Sequence, residues 1–225
     1  MEGPRLYSRA IQAGLAPRVT FVSDDVLATV GETVTVDPAA LDKASYRDRS
    51  EGLIAVFPQV ATGIERIEPE TSPLILVAED IEKPGNLGAM MRTAAAAGAD
   101  GLIAVGSTVD PFNPNSVRAS TGAVFDLDLA ISSWDETGPW LEERGFAVIG
   151  ASPDGNVPFW SVDLTGPLAV VIGAEDTGLS ERAVAMATQI VVIPQSEEGV
   201  VDSLNASVAA AVLLFEAVRQ RTVGS

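Results

Sequence analysis

From residue 74 onward the chain alternates short, continuously apolar runs with segments of helical periodicity. Runs without an apolar–polar alternation are typical of strands buried on both faces, and their alternation with helices favours a parallel sheet covered by helices. The sequence therefore predicts an α/β fold for this region. The predicted strands are 74–78, 101–105, 146–151, 168–172 and 190–193, and the predicted helices are 87–97, 115–120, 133–144, 180–187 and 204–221.

A smaller α/β unit of about 65 residues precedes this region, at the low end of the usual domain size. Asp37 followed by Pro38 is typical of a capped helix with proline in its first turn. The predicted elements are helices at 5–13, 24–30 and 39–44 and strands at 18–22, 34–36 and 53–58. A proline-rich, charged segment at 66–73 is a predicted linker, so we expect two domains, 1–68 and 69–225.

Composition excludes several kinds of chemistry. The 225 residues include no histidine and no cysteine, which rules out histidine triads, imidazole bases, thiolate metal sites and disulfides. We expect no metal. No apolar run is long enough for a membrane span and the N-terminus lacks a signal-peptide pattern, so we expect a cytoplasmic protein without a membrane partner. A net charge of −17 disfavours non-specific binding to polyanions.

A first motif lies at residues 84–94, where Pro-Gly-Asn-Leu-Gly-Ala-Met-Met-Arg-Thr-Ala opens a predicted helix. Two interpretations are open for its polar residues. Asn86 either caps this helix or serves a site, and Arg92 is either a solvated cation or a ligand-binding group.

A second motif lies at residues 171–180, where a predicted strand enters a glycine turn with two carboxylates, Glu175 and Asp176. Neither a Gly-Lys-Ser/Thr phosphate loop nor a GxGxxG pattern is present. Carboxylates here would repel phosphate but suit a cationic or hydroxyl-rich ligand. The alternative is an ordinary strand-to-helix turn, with Ser180 capping the helix.

A third motif spans 193–219, where an Ile-Pro-Gln-Ser-Glu-Glu-Gly loop leads to an apolar helix. Ser203, Asn205 and Ser207 place two hydroxyls and an amide at the entrance of this helix. A buried C-terminal helix with polar caps would explain part of this pattern, but such a helix does not require all three side chains.

In this order the three motifs resemble those of the SpoU (TrmH-like) RNA ribose methyltransferases. Segment 117–123, Val-Arg-Ala-Ser-Thr-Gly-Ala, resembles a further family segment, and segments 2–6 and 48–56 resemble the entry and the end of the family's N-terminal substrate-binding domain. The resemblance implies a parallel-sheet domain with a C-terminal trefoil knot and an L30e-like N-terminal domain. Relatives usually carry a helix and a strand before the segment at 2–6, so we expect the small domain to be truncated.

The resemblance also implies S-adenosylmethionine as the cofactor and RNA as the substrate. Its implied catalytic residues are Arg92, Asn86, Glu175, Ser203 and Asn205, its implied cofactor-binding residues are Ala151, Gly173, Ile193, Gly199 and Leu204, and its implied RNA-binding residues are Arg92, Arg118 and Arg5. Arg118 is equally suited to pairing with a carboxylate. Dimerisation through the knot region is implied, and Arg92 would then serve a neighbouring subunit.

The expected function is S-adenosylmethionine-dependent 2′-O-methylation of a ribose in structured RNA, with 23S-type ribosomal RNA as the expected substrate. Three alternatives are open: a transfer-RNA 2′-O-methyltransferase, a catalytically silent knotted protein that binds RNA or ribosomes, and an α/β enzyme for a small cationic metabolite. The apolar helix face formed by Leu204, Val208, Ala211, Val212, Phe215 and Val218 fits either a core or a dimer interface.

Overall fold

The computed structural model describes residues 1–23, 29–69, 71–196 and 203–223. The chain divides into two compact units, Met1–Ala61 and Thr62–Ser225. This boundary falls before the predicted linker, because Ile67 is buried in the core of the second unit. The predicted role of the first unit as an RNA-binding domain stays a prediction.

The described residues of the first unit form a three-stranded sheet and two helices. The helices are α1 (Pro4–Gln12) and α2 (Pro38–Ala44), and the strands are β1 (Val19–Val22), β2 (Thr33–Thr35) and β3 (Leu53–Val56). The central strand β1 pairs parallel with β2 and antiparallel with β3. As predicted, the Asp37 side chain caps α2 by accepting a hydrogen bond from Ala39 N at 2.8 Å. Most of the helix predicted at 24–30 lies outside the described residues.

The second unit is built on a seven-stranded sheet in the order β6-β5-β4-β9-β7-β10-β8. Every pair of neighbouring strands in it is parallel. The strands are β4 (Leu74–Glu79), β5 (Gly101–Val105), β6 (Leu129–Ser132), β7 (Ala147–Ala151), β8 (Val157–Pro158), β9 (Leu168–Ile172) and β10 (Gln189–Val192).

The described residues of this unit form five α-helices, of which four lie between strands and the last follows β10. Their positions agree with the sequence prediction to within three residues at each end. They are α3 (Pro84–Ala96), α4 (Pro114–Ala119), α5 (Trp134–Glu143), α6 (Glu181–Met186) and α7 (Ala206–Val223). Within the described parts of the chain, none of the helices is both long and apolar enough to cross a membrane.

The continuously apolar strands lie where the sequence pattern requires them. All residues of β4, β5 and β9 are buried, because these strands lie inside the sheet. The predicted α/β class is therefore confirmed, whereas the trefoil knot stays a prediction.

The sequence pattern missed the two edge strands, β6 and β8. Ile131 of β6 is 47% exposed, and β8 has only two residues, one of which is proline. Edge strands face solvent and tolerate proline, so they lack the continuous apolar run on which the prediction depended.

Candidate active site

A cavity of about 790 Å³ opens at the carboxyl ends of β7, β9 and β10. Ligands of open α/β sheets bind at this edge, where the loops that follow the strands meet. The residues named in the sequence analysis that line the cavity are Ala151, Gly173, Glu175, Ile193, Ser203 and Leu204. Gly199 lies outside the described residues.

The cavity combines apolar walls with acidic groups. Ile172, Leu179 and Ile190 belong to its lining, together with the carboxylates of Asp154, Glu175 and Asp176, and its described lining includes no Lys or Arg. Such a cavity favours a ligand that is partly apolar and carries positive charge.

Glycines allow the cavity wall to fold tightly. A Cβ on Gly173 would overlap the backbone of Gly178 and Leu179, and Gly178 itself has a φ of 69°. On the other side of the cavity, a Cβ on Gly155 would lie 2.6 Å from the carbonyl carbon of Val191. Because backbone atoms cannot move aside as a flexible side chain can, larger residues would push the wall out of place.

The three motifs meet at the carboxylate of Glu175. Asn86 Nδ2 donates to Glu175 Oε1 at 2.6 Å, and Asn205 Nδ2 donates to the same oxygen at 2.7 Å. Asn205 Nδ2 also lies 3.1 Å from Asn86 Oδ1, and Lys83 Nζ contacts Glu175 Oε2. Asn86 and Asn205, which are 119 positions apart in the chain, thus belong to one hydrogen-bonded cluster.

The capping interpretation of Asn86 is wrong. Helix α3 begins at Pro84 with Lys83 as its N-cap residue, so Asn86 lies inside the first turn and its amide is directed at Glu175. Our prediction placed the start of the helix three residues too late. Proline at the first helical position is common, because its missing N–H has no partner there in any case.

Asn205 has two roles at the start of α7. Its Oδ1 accepts from Ser207 N at 3.0 Å and from Ser207 Oγ at 2.7 Å, which caps the helix. Its Nδ2 donates to Glu175. Asn205 therefore fixes the start of α7 and is at the same time a member of the hydrogen-bonded cluster around Glu175.

The donors around Glu175 hold this carboxyl group in its ionised form. Its pKa is lowered, chiefly by the hydrogen bond from Lys83, with a further contribution from Asn86. The pKa of Lys83 is raised by its hydrogen bond to Glu175. An efficient general base has a pKa near the working pH, so Glu175 is suited to electrostatics and positioning rather than to proton abstraction.

The structure does not bring Arg92 into this cluster within one chain. Arg92 is exposed on α3, six residues after Asn86. Six residues correspond to about 9 Å along a helix and about 120° around it, so the two side chains leave different faces. Arg118 is half-buried on α4, where its guanidinium contacts Asn115 Oδ1. Arg5 is exposed on α1 of the first unit.

Two residues of the site were not predicted from the sequence. Lys83 contacts Glu175, and Asp154 lines the cavity on the loop after β7. The position of Lys83 directly before a Pro-Gly-Asn helix start was a usable signal, whereas Asp154 lies in a loop that resembles any other polar turn.

Comparison with known proteins settles the family. Residues 73–215 match the model of the SpoU rRNA Methylase family. The chain belongs to this family. A 23S rRNA (uridine(2479)-2′-O)-methyltransferase of Streptomyces viridochromogenes is 36% identical over 178 residues, which cover 76% of this chain and 61% of that protein.

Two further proteins are similar to this chain over most of its length, one in sequence and one in structure. The 23S rRNA (guanosine-2′-O-)-methyltransferase RlmB of Ralstonia nicotianae is 35% identical over 84% of this chain and 78% of its own length. The crystal structure of the SpoU methyltransferase AviRb from Streptomyces viridochromogenes with AdoMet superposes with a TM-score of 0.90 at 30% identity, covering 100% of this chain and 91% of the other.

Proposed function

We propose that this protein transfers a methyl group from S-adenosylmethionine to a ribose 2′-hydroxyl of ribosomal RNA, of the 23S type. The observation that carries the proposal is the meeting of all three SpoU motifs at Glu175, on the rim of the cavity. The 23S rRNA methyltransferases among its relatives support the substrate class. A cytoplasmic location is part of the proposal.

The cavity suits S-adenosylmethionine in size and charge. Its volume of about 790 Å³ lies within the range usual for small-molecule sites. Its apolar walls suit the adenine, and its carboxylates suit the ribose hydroxyls and the positive charge. When bound, the cofactor supplies a methyl group made electrophilic by a sulfonium. Ala151, Gly173, Ile193 and Leu204 would hold it, together with Gly199.

The catalytic residues of the cluster act by alignment. Asn86 and Asn205 fix the carboxylate of Glu175, and Ser203 adds a hydroxyl to the cavity lining. Holding reacting groups at near-attack distance accounts for a large part of many rate enhancements. Arg92 would clamp an RNA phosphate and polarise the ribose hydroxyl, since a guanidinium makes two parallel hydrogen bonds to such groups.

We infer that Arg92 reaches the cluster of a second subunit, in a homodimer formed through α7. The predicted apolar face of α7 is not a core face: Val208 and Phe215 are 46% and 47% exposed, and Leu204 before the helix is 38% exposed. The buried face consists instead of Ala206, Ala210, Leu213, Leu214 and Ala217. A largely apolar surface of this kind favours a protein contact. The trefoil knot and an L30e-like fold of the first domain belong to the same proposal.

The test is methyl transfer by the purified full-length chain from labelled S-adenosylmethionine to 23S ribosomal RNA and, separately, to transfer RNA. We expect labelled 2′-O-methylribose in the ribosomal RNA. Label in transfer RNA alone would overturn the ribosomal assignment. Cofactor binding without transfer to either RNA would favour a catalytically silent protein, and absence of cofactor binding would overturn the methyltransferase proposal.

The variant Arg92→Lys tests the role of the guanidinium. We expect a loss of transfer of about 100-fold, as for other groups that stabilise developing charge, with unchanged cofactor affinity. The matched control is Arg182→Lys, which alters an exposed arginine on α6 that pairs with Asp135. Equal transfer by the two variants would contradict the role of Arg92.

A further inference from the structure

Glu79, the last residue of β4, is a buried carboxylate outside the cavity lining. It is 2% exposed, and no described ion pair includes it. Its Oε1 accepts from Trp134 Nε1 at 2.5 Å and from Ser180 Oγ at 2.6 Å, and its Oε2 accepts from Ser180 N at 3.0 Å. A carboxylate only accepts hydrogen bonds, so its two oxygens match these three donors.

Ser180 connects Glu79 to the cavity. It follows directly after the loop 173–179, every residue of which lines the cavity. It also caps α6, because its Oγ accepts from Ala183 N at 3.1 Å. The loop begins directly after β9 and ends directly before Ser180. Glu79 holds this second end in place through its two hydrogen bonds to Ser180.

The loop has little freedom between these two ends. Gly178 N donates to Ala174 O at 3.0 Å, and the backbone of Gly178 lies so close to Gly173 that a Cβ on Gly173 would overlap it. A shift of Ser180 would therefore be transmitted to Gly178 and Leu179, which form part of the cavity wall.

We propose that Glu79 is a positioning residue that holds the loop 173–179 in the shape that binds the cofactor. The inference rests on the proposed function. If the loop adopts its binding shape for only a fraction of the time, the apparent Kd rises by the inverse of that fraction. Glu79 keeps this fraction high without touching the ligand.

The test is calorimetric binding of S-adenosylmethionine to the full-length Glu79→Gln variant. Glutamine has nearly the same shape, but its NH₂ must face either Ser180 N–H or the two donors at Oε1, which places a donor against a donor. We expect the Kd to rise about tenfold. The KM for S-adenosylmethionine should rise with it, and the KM for RNA should not change.

Three further variants separate positioning from general stability. Trp134→Phe removes the donor from α5 and leaves both Ser180 contacts, so its Kd should stay within about twofold of wild type. Ser180→Thr keeps the hydroxyl and should bind normally. Ser180→Asp keeps the helix cap but puts a second carboxylate against Glu79, so it should weaken binding as Glu79→Gln does.

The possible outcomes distinguish this inference from the proposed function. A wild-type chain that binds no S-adenosylmethionine would refute the proposed function. If wild type binds and both Glu79→Gln and Ser180→Asp bind equally well, only the inference fails. It also fails if Trp134→Phe weakens binding as much as Glu79→Gln, since that would indicate a general role in the core. If Glu79→Gln does not fold, Ser180→Asp decides.

Discussion

Gly88, the second glycine of the first motif, allows α3 and α4 to pack closely. A Cβ added to Gly88 would lie 2.5 Å from Ala119 Cβ and 2.5 Å from Ser116 O. Ser116 on α4 and Ser120 directly after this helix are fully buried, so the side of α4 that faces Gly88 is closely packed. We predict that Gly88→Ala destabilises the second unit and moves the two helices apart.

The expected magnitude follows from these distances. Non-bonded carbon atoms prefer separations of about 3.5–4.0 Å, so the helices must separate by about 1 Å. Overpacking of this kind costs about 1–3 kcal/mol. Replacing a helical glycine by alanine stabilises the helix by up to about 1 kcal/mol, which offsets part of this cost. Because two of the contacts are very short and one of these involves a backbone atom, we expect the unfolding free energy to fall by about 2 kcal/mol. This corresponds to a fall in Tm of about 4–8 °C.

Gly85→Ala is a matched control on the same helix. No atom lies within 4 Å of a Cβ at Gly85, so the same substitution gains helix propensity there without a clash. Unfolding followed by tryptophan fluorescence reports on the second unit, because all three tryptophans, at 134, 140 and 160, lie in it. A Gly88→Ala variant at least as stable as Gly85→Ala would refute the reasoning.

Three further predictions concern α7 and its surroundings. The Arg221 guanidinium donates hydrogen bonds of 2.8–3.2 Å to four backbone carbonyl oxygens, those of Leu164, Ser72, Pro73 and Gly166. Arg221→Met should therefore lower the unfolding free energy by about 2 kcal/mol in urea titrations. An unchanged unfolding midpoint would contradict this prediction. The pKa of Glu216 is lowered from 4.5 to about 2, chiefly by its hydrogen bond from Arg219. A carboxyl group whose pKa is lower in the folded than in the unfolded chain stabilises the fold at pH values above the unfolded pKa. The difference in unfolding free energy between wild type and Glu216→Gln should therefore be full at about pH 6 and disappear as the pH falls from 4.5 towards 2. Asn205→Asp keeps the helix cap but places a carboxylate beside Glu175, so it should lose methyl transfer while circular dichroism shows intact helices; normal transfer would refute the positioning role.

The excess of acidic residues in the chain is also seen in the lining of the cavity, which includes three carboxylates. Carboxylates on the rim suit a cationic cofactor, whereas RNA requires positive charge elsewhere. Arg92 is exposed and Arg118 half-exposed, on helices that pack against each other at Gly88. Gly88 therefore also influences the spacing between these two arginines, which are proposed to bind RNA.

The sequence alone determined the class of the fold. Inner strands such as β4 and β9 are apolar throughout because both of their faces are covered, and this pattern is visible without coordinates. The motifs likewise pointed to Asn86, Glu175 and Asn205 as members of one site. The edge strands escaped prediction because partial exposure removes the apolar pattern.

Only the tertiary structure showed how these residues cooperate. Sequence spacing does not reveal that Asn86 lies within the first turn of α3, or that Asn205 shares one oxygen of Glu175 with it. Nor does it reveal Glu79, whose partners are 55 and 101 residues away. Local periodicity is set by which face of an element is buried, and it can be read along the chain. Contacts between side chains depend on where the parallel strands bring their loops together, which is a property of the assembled sheet.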